Sequence, residues 1–447
     1  MTVGEVIDAR PIGAYQLWTV VLCGSLLILD GYDALTMGYL ATPIAATTHI
    51  PVHSFGPILS ASLFGLMIAA MATGPVADRW GRKWPVIVSV LAFGVFAVLT
   101  AQARTYNEFL AYRFLTGLGL GGAMPNVVAL TSEYVPKRLL PIVVPMLFAG
   151  MPLGGLICGL VSSALITTWG WAWVFYIGGF VPVAIALALI GVLPESVRFL
   201  VLRGKDPRRV RKILARISPD FASANPNADL LALQEEKHGG VPVVRLFTEG
   251  RALATILLWI PNFMNLLLLY FLNSWLPTLL RESGMSVSAG VAASSFIALG
   301  GILACFVEGY LMSVGGAYFV LLAEFGLGAA FMILLAFVSH SFELSVAAAF
   351  VLGFLVIGAQ GGLNALAAKF YPTSMRSTGV GWALGVGRVG SIVGPVLAGI
   401  LLTAGWKPRQ ILMWSALSAV CACVAIGMSK LARGSANAYA PEPEVSS

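Results

Sequence analysis

Twelve apolar runs, each long enough to cross a bilayer, divide this sequence of 447 residues. A bilayer core needs about 20 apolar residues per helix, and only a helix satisfies the backbone of a single span in lipid. Charged residues make up 11% of the chain, too few for a soluble protein of this length. The sequence predicts an all-α polytopic membrane protein with spans near 15–43, 55–77, 84–103, 108–132, 140–167, 172–193, 252–280, 287–312, 317–338, 343–368, 377–404 and 408–430.

The gap between the sixth and seventh runs, residues 194–251, differs from the rest of the chain. It contains Pro219, Pro226 and Pro242 and a large share of the 27 Lys and Arg residues. A basic run of this kind is typical of a solvated cytoplasmic segment and not of a nucleic-acid site. We therefore predict an N-terminal six-helix bundle over 1–193, a cytoplasmic linker with a short amphipathic helix near 207–217, and a C-terminal six-helix bundle with a cytoplasmic tail over 252–447.

The distribution of Lys and Arg predicts the orientation of the spans. With the N-terminus in the cytoplasm, four of the 27 basic residues fall outside and two fall within spans, which leaves 21 inside. Cytoplasmic loops carry an excess of Lys and Arg. Both termini are therefore predicted to be cytoplasmic. The sequence contains no nucleotide-binding loop, metal-ligand cluster or nucleophile constellation, so neither a metal site nor enzyme activity is expected.

A G-x-x-x-D-R-x-G-R-K pattern, Gly74 to Lys83, follows the second run. Gly74 is expected to allow a close helix contact. Asp78 ends a helix where the dipole disfavours an acid, so it needs a basic partner or a neighbouring helix N-terminus. We predict a conformational latch on the cytoplasmic side, made of Gly74, Asp78, Arg79, Gly81, Arg82, Glu133, Arg138 and Arg376.

Two further motifs lie in the first half of the sequence. The fourth run contains Arg113-x-x-x-Gly117-x-Gly-x-Gly-Gly122, in which glycines permit tight packing. Pro194-Glu-Ser-Val-Arg198 follows the sixth run. The three motifs resemble the major facilitator superfamily. The resemblance implies the major facilitator fold, two pseudo-symmetric six-helix bundles with a substrate site between them near the midplane. A weak repeat at an offset near 235 agrees, although Ser313 replaces the acid expected opposite Asp78.

The first run contains Asp30-Gly-Tyr-Asp33, a D-G-x-D pattern. This pattern, with the stretches 265–277 and 371–390, is similar to the aromatic acid:H+ symporter family, the 4-hydroxybenzoate and benzoate transporters. The resemblance implies a symporter of the bacterial inner membrane that imports a small aromatic carboxylate with protons by alternating access. It implies a monomer in the lipid bilayer with no cofactor beyond the coupling proton and no nucleic-acid partner.

Four charged residues inside the predicted spans are the main candidates for function. Asp30 and Asp33 are three residues apart and share a helix face, so their repulsion favours a proton on one of them. With Arg113 they are the predicted proton-coupling residues; the alternative is a static ion pair between one aspartate and Arg113. Arg388 lies about 20 Å along its span, and its planar guanidinium suits a substrate carboxylate. The alternatives for Arg388 are an ion pair with Glu308 or Glu324, or a role in gating.

Aromatic and amide residues complete the predicted substrate-binding set around Arg388. Three aromatic side chains are candidates for stacking on a ring, namely Tyr270, Trp275 and Trp382. Five amides are candidates for hydrogen bonds to ring hydroxyls, namely Asn126, Asn265, Asn273, Gln360 and Asn364. Packing or anchoring at the membrane interface is the alternative for each of these residues.

The repeat offset places the charges of the two halves unequally. Asp30, Asp33 and Arg113 lie in the first half, and Arg388 lies in the second, which predicts that the first half handles the proton and the second holds the anion. Two other functions fit the same charges. One is an exporter of organic acids with the same fold, and the other is a membrane sensor that binds aromatic acids without transporting them.

Overall fold

The computed structural model describes residues 3–9, 11–202, 207–217, 243–248, 251–371 and 375–438. Within these ranges the chain is helical, with short 3-10 turns and loops and no β-strand. Twelve segments are long and apolar enough to cross a membrane. The predicted class, an all-α polytopic membrane protein with twelve spans, is therefore confirmed.

The first six spans are formed by seven helices after a short N-terminal one. The helices of this half are α1 Val3–Asp8, α2 Ala14–Thr48, α3 Phe55–Trp80, α4 Lys83–Gln102, α5 Tyr106–Tyr134, α6 Leu140–Phe148, α7 Gly150–Leu165 and α8 Ala172–Val192. The fifth span is divided between α6 and α7, where the sequence predicted one helix. Pro152 has no N–H to donate to the carbonyl of Phe148, so the helical ladder is interrupted there.

Helix α2 continues to Thr48, five residues beyond its predicted end, and accommodates Pro43 without a break. Asp30 therefore lies near the centre of α2. The result is that Asp30 lies at mid-depth, where a substrate site between two halves belongs.

The second half repeats the six-span arrangement. Its helices are α11 Ala252–Glu282, α12 Val287–Gly315, α13 Ala317–Val338, α14 Phe342–Phe370, α15 Arg376–Thr403 and α16 Pro408–Ala438. Between the halves lie two short helices, α9 Val197–Leu202 and α10 Pro207–Ile217. The predicted helix at 207–217 is thus confirmed.

Helix α10 differs from the solvated linker expected from the sequence. Its apolar face is buried, with Val210, Ile213 and Leu214 in the same core cluster as residues of α2 and α8. The guanidinium of Arg216 lies 5.4 Å from the ring centroid of Tyr15. This part of the connecting segment therefore packs against the first half and is not free in solvent.

The two halves meet mainly on one side of the molecule. We call the side that bears α1, α10 and the loop 135–139 the basic side, and the side that bears the loops 49–54 and 283–286 the opposite side. Two of the hydrogen bonds that join the halves lie toward the opposite side. They are Thr42 Oγ1 to Thr278 Oγ1 at 3.1 Å, and Ser60 Oγ to the Ile392 carbonyl at 2.7 Å. The conformation is therefore the one closed to the opposite side.

Glycines of α5 allow its close packing on α3 and α4, as the sequence predicted. A Cβ at Gly117 would lie 1.9 Å from the carbonyl oxygen of Ser62, and one at Gly119 would lie 2.6 Å from the backbone nitrogen of Phe93. Real Cβ atoms do not approach backbone so closely. The glycine motif thus fixes the position of α5, and with it the position of Arg113.

Candidate substrate and proton site

A pocket between the two halves contains three of the four predicted membrane charges. Helices α2, α3, α5 and α7 line it from the first half, and α11 and α15 line it from the second. The lining residues are Asp30, Asp33, Ala34, Ser62, Leu63, Leu66, Leu120, Met151, Tyr270 and Arg388. The pocket brings a carboxyl pair of one half to the guanidinium of the other.

Asp33 and Arg113 form a buried bidentate ion pair behind this pocket. Arg113 Nη1 donates to Asp33 Oδ1 at 2.8 Å, and Nη2 donates to Oδ2 at 3.0 Å. Arg113 is 1% exposed and also contacts Ser62 Oγ at 3.4 Å. Two parallel hydrogen bonds are the strongest arrangement for this pair of groups. Each charge is therefore compensated by the other.

Asp30 has a different environment from Asp33, although both lie on α2. Its Oδ2 atom is buried and has no hydrogen-bond partner among the described residues. The Arg388 guanidinium faces Asp30 across the pocket and interacts with it electrostatically. No salt bridge within 4.0 Å holds Arg388 in the part of the chain that the structure describes. Asp30 and Arg388 therefore both line the pocket but do not form a salt bridge with each other.

The sequence left Glu308 and Glu324 open as partners of Arg388. They lie on α12 and α13, whereas Arg388 lies on α15. Neither acid forms a salt bridge with Arg388 among the described residues. The acid that faces Arg388 across the pocket is Asp30, a pairing that the sequence did not indicate.

The three predicted aromatic residues have separate locations. Tyr270 lines the pocket. Trp275 has no exposed surface and donates its Nε1–H to the Pro395 carbonyl at 2.9 Å, so in this conformation it belongs to the core and cannot stack on a ligand. Trp382 is 47% exposed, stacks on Trp259 at 6.0 Å between ring centroids, and does not line the pocket.

Most predicted amides form a hydrogen-bonded chain between α11 and α14. Asn265 donates to Gln360 Oε1 at 3.0 Å, and Gln360 donates to Asn364 Oδ1 at 3.2 Å and Asn262 Oδ1 at 3.4 Å. Asn265 Oδ1 is buried without a partner among the described residues. These hydrogen bonds fix the amides in one orientation, while the Oδ1 acceptor of Asn265 stays unused.

The other two amides lie away from this chain. Asn126 donates to the Gly122 carbonyl at 2.9 Å, and its Oδ1 accepts from Arg82 Nη1 at 3.4 Å. Its amide is therefore directed toward the basic side and not into the pocket. The carbonyl of Asn273 lies against Gly38, where a Cβ would approach within 2.4 Å, so this segment of α11 is part of the contact between the halves.

Glu195 organises the loop between α3 and α4. Its Oε1 accepts hydrogen bonds from the backbone N–H of Arg82 at 2.7 Å and of Lys83 at 3.1 Å, at the positive end of α4. Gly81 adopts φ of +91°, and a Cβ there would lie 2.5 Å from Glu195 Oε2. In the sequence Glu195 stood out only as part of the motif after the sixth run. The sequence did contain a signal for this role. Glu195 comes directly after the sixth predicted span, on the side of the membrane where the third predicted span begins.

The predicted latch residues are only partly brought together. Glu133 forms a 3.7 Å salt bridge with Arg82 and accepts a hydrogen bond from Ser196, and Arg138 Nη1 contacts the Asp8 carbonyl at 3.5 Å. Arg79 is exposed. The side chains of Asp78 and Arg376 lie outside the described residues, so their part in the latch stays a prediction.

Gly74 does not make the close helix contact expected from the sequence. A Cβ at this position would meet no atom within 4 Å. The expectation is corrected for this conformation, in which the halves are joined on the opposite side and Gly74 lies toward the basic side.

Two six-span halves, joined on one side and enclosing buried charges at mid-depth, define the class of secondary transporters and not an enzyme. The model of the Major Facilitator Superfamily matches residues 22–395, with a second match over 258–443. This chain belongs to the Major Facilitator Superfamily and is an integral, multi-pass membrane protein.

Sequence relatives align with this chain over most of its length. The chain is 37% identical to the 4-hydroxybenzoate transporter PcaK of Pseudomonas aeruginosa over 420 residues, 94% of each chain. It is 35% identical to a gallate transporter of Pseudomonas putida, covering 94% of this chain and 93% of the other. The xylose transporter XylE from E. coli, in a partially occluded inward-open conformation, shares the fold at a TM-score of 0.73 and 15% identity, covering 97% of this chain and all of that one (100%).

Proposed function

We propose that this protein is a proton-coupled importer of a small aromatic carboxylate. One observation carries the proposal: Asp30 and Arg388 face a common pocket without a mutual lock, while the neighbouring Asp33 is neutralised by Arg113. Arg388 is the proposed site for the substrate carboxylate, and Asp30 is the proposed proton carrier. Asp33 and Arg113 are proposed to hold the pocket in shape and to set its charge.

Charge balance in the pocket supports coupling. When the pocket is empty, ionised Asp30 balances Arg388. When a substrate carboxylate occupies Arg388, the net charge returns to zero only if Asp30 takes up a proton. A cavity with either ligand alone carries an uncompensated charge, which is costly at membrane depth. The empty state and the doubly loaded state are therefore the two that cross the closed intermediate easily, and this is the requirement for symport of one proton with one monocarboxylate.

An aromatic substrate is supported by the pocket and by the relatives. Tyr270 and four apolar residues of the first half, Leu63, Leu66, Leu120 and Met151, surround the two charged groups. A flat apolar ring with one carboxylate matches this combination. Two relatives that cover most of the chain are named for 4-hydroxybenzoate and gallate, both aromatic acids. The amide chain from Asn265 to Asn364 is proposed to meet ring hydroxyls from α11 and α14.

The distribution of charge supports an orientation of the protein in the membrane. The side that we call basic carries α1, α10 and most of the described Lys and Arg residues, so we propose that it faces the cytoplasm of a bacterial inner membrane. The described conformation, closed to the opposite side, is then the one from which substrate leaves into the cell. The residues from Asp78 to Arg82, with Glu133, Arg138 and Arg376, are proposed to hold the basic side in the alternate state.

Uptake by reconstituted protein tests the function. Proteoliposomes receive labelled 4-hydroxybenzoate with an inward proton gradient, with no gradient, and with the gradient collapsed by a protonophore. An importer accumulates label only with the gradient intact. Outward movement of preloaded label driven by an inward gradient would indicate an exporter, and saturable binding without any flux would indicate a sensor. Either result contradicts the proposal.

A further inference from the structure

Two acids of the second half form a buried pair that the proposed transport mechanism does not use. Glu308 of α12 and Glu324 of α13 are 6% and 4% exposed. Both approach Gly358 of α14: a Cβ there would lie 2.8 Å from Glu324 Oε1 and 3.2 Å from Glu308 Oε2. The two carboxyl groups therefore meet at one point between three helices.

The pair lies within the membrane. Each acid is seven residues from the basic-side end of its helix, Gly315 for α12 and Ala317 for α13, which corresponds to about 10 Å of helix. None of the four carboxyl oxygens accepts a hydrogen bond from another donor group in the described part of the chain. No cationic side chain among the described residues forms a salt bridge with either acid. Two such groups cannot both be ionised there without a large cost.

Glycines of α14 leave the space that the carboxyl groups occupy. Gly358 and Gly362 are one helical turn apart, and a Cβ at Gly362 would lie 2.8 Å from Glu308 Oε1. Any larger residue at either position would displace a carboxyl group. The space is therefore matched to two acids, and the site is built from all three helices.

The internal repeat shows that this packing does not require acids. At an offset of 235, Glu308 corresponds to Thr73 and Glu324 to Ser89, and at 236 Gly358 corresponds to Gly122. In the first half a Cβ at Gly122 would lie 2.1 Å from Ser89 Oγ and 3.8 Å from Thr73 Cγ2. The same three-helix junction is thus filled there by two small hydroxyl residues. The second half carries carboxyl groups where hydroxyl groups suffice for packing.

We propose that Glu308 and Glu324 form a second proton-binding site, which holds at least one proton at neutral pH and is separate from Asp30. A shared proton removes the repulsion between the two carboxyl groups and supplies the hydrogen bond that their buried oxygens lack. No other titratable side chain of the described residues interacts with either group, and Met312 and Leu321 are apolar neighbours at Gly362. Helix α12 also meets the first half, where Ser295 lies against Gly159, so the site is on an element that has to move in the transport cycle.

Infrared spectroscopy of purified protein in detergent tests the proposal without substrate. A protonated carboxyl has a carbonyl stretch that is separated from the bands of a carboxylate. Wild type is compared at neutral pH with Glu308→Thr/Glu324→Ser, which copies the residues of the first half. We expect the variant to lose a protonated-carboxyl band that wild type and Asp30→Asn both retain. A difference spectrum with carboxylate bands alone would overturn the proposal.

Two further measurements keep the test decisive. If the double variant fails to fold, Glu308→Gln and Glu324→Gln each remove one acid and preserve its size, and each is expected to change the protonated-carboxyl band. No change in either would overturn the proposal. Addition of sodium, potassium or calcium ions is expected to leave the wild-type band intact, and its loss would indicate a metal-cation site instead. Transport and substrate-linked proton uptake depend on Asp30, so the two proposals fail independently.

Discussion

The guanidinium of Arg113 holds the carboxylate of Asp33 through two parallel hydrogen bonds of 2.8 and 3.0 Å. This ion pair distinguishes Asp33 from Asp30, the other aspartate of the D-G-x-D motif. From the sequence alone, both aspartates had the same predicted role. Asp33 has a fixed counter-ion in a fully buried position, whereas Asp30 faces the pocket with one buried oxygen unpaired among the described residues. The motif therefore combines one aspartate that is fixed in an ion pair with one that is not.

Asp33→Asn should destabilise the protein, because it leaves the guanidinium of Arg113 buried without its counter-ion. Breaking a buried pair in this way costs about 3–5 kcal/mol. Thermal unfolding in detergent measures the effect, with Asp30→Asn as the matched control from the same helix. Arg113→Gln combined with Asp33→Asn should recover part of the loss. Equal midpoints for the two single variants would contradict the structural role of the pair.

Arg388→Lys should weaken carboxylate binding while the protein stays folded. Lys keeps the charge but loses the planar pair of donors. A hydrogen bond to a charged group contributes about 1.5–3 kcal/mol, so a loss of about ten- to hundredfold in affinity is expected. Arg281→Lys, at the exposed end of α11, is the control. The neutral amide analogue of the substrate should bind wild type poorly, and equal affinity for acid and amide would show that Arg388 does not bind the carboxylate.

The sequence predicted the twelve spans and the helices that carry the charges, because a long apolar run in lipid has one stable backbone conformation. It did not separate the candidate side chains that line the pocket from those that lie elsewhere. Tyr270 and Trp275 lie on the same helix, yet one lines the pocket and the other is in the core. A helix that is apolar on all sides gives no pattern that separates its lipid, core and cavity faces. The placement of Asp30 and Arg388 from distant helices around one pocket depends on that orientation.

Gly117→Ala should prevent normal packing of α5. The new methyl group would lie 1.9 Å from the Ser62 carbonyl, so α3 and α5 would have to separate and Arg113 would shift relative to Asp33. Gly326→Ala is the matched control, since its Cβ meets no atom within 4 Å and alanine favours the helix by about 1 kcal/mol. Yield of monodisperse protein and its unfolding midpoint report the result. A Gly117→Ala protein as stable as the control would argue against the close fit of α5 between α3 and α4.

Asp78→Asn should slow transport more than it alters binding. Asp78 ends α3 on the basic side, far along the helix from the pocket residues Ser62 and Leu66, so it has no direct path to the substrate. The expected result is a reduced uptake rate in proteoliposomes with a near-normal dissociation constant in detergent. A large change in the dissociation constant at an unchanged rate would place this loop in contact with substrate.

Proton uptake on substrate binding measures directly whether a carboxylate at Arg388 and a proton on Asp30 occupy the pocket together. Substrate is added to detergent-solubilised protein in weak buffer, and proton uptake is recorded for wild type and for Asp30→Asn. Linkage requires that an anion whose binding takes up a proton also binds more tightly at lower pH. We predict close to one proton taken up per substrate bound by wild type and none by Asp30→Asn, with affinity rising toward acid pH in wild type alone. Equal proton uptake by both proteins would contradict the assignment of Asp30.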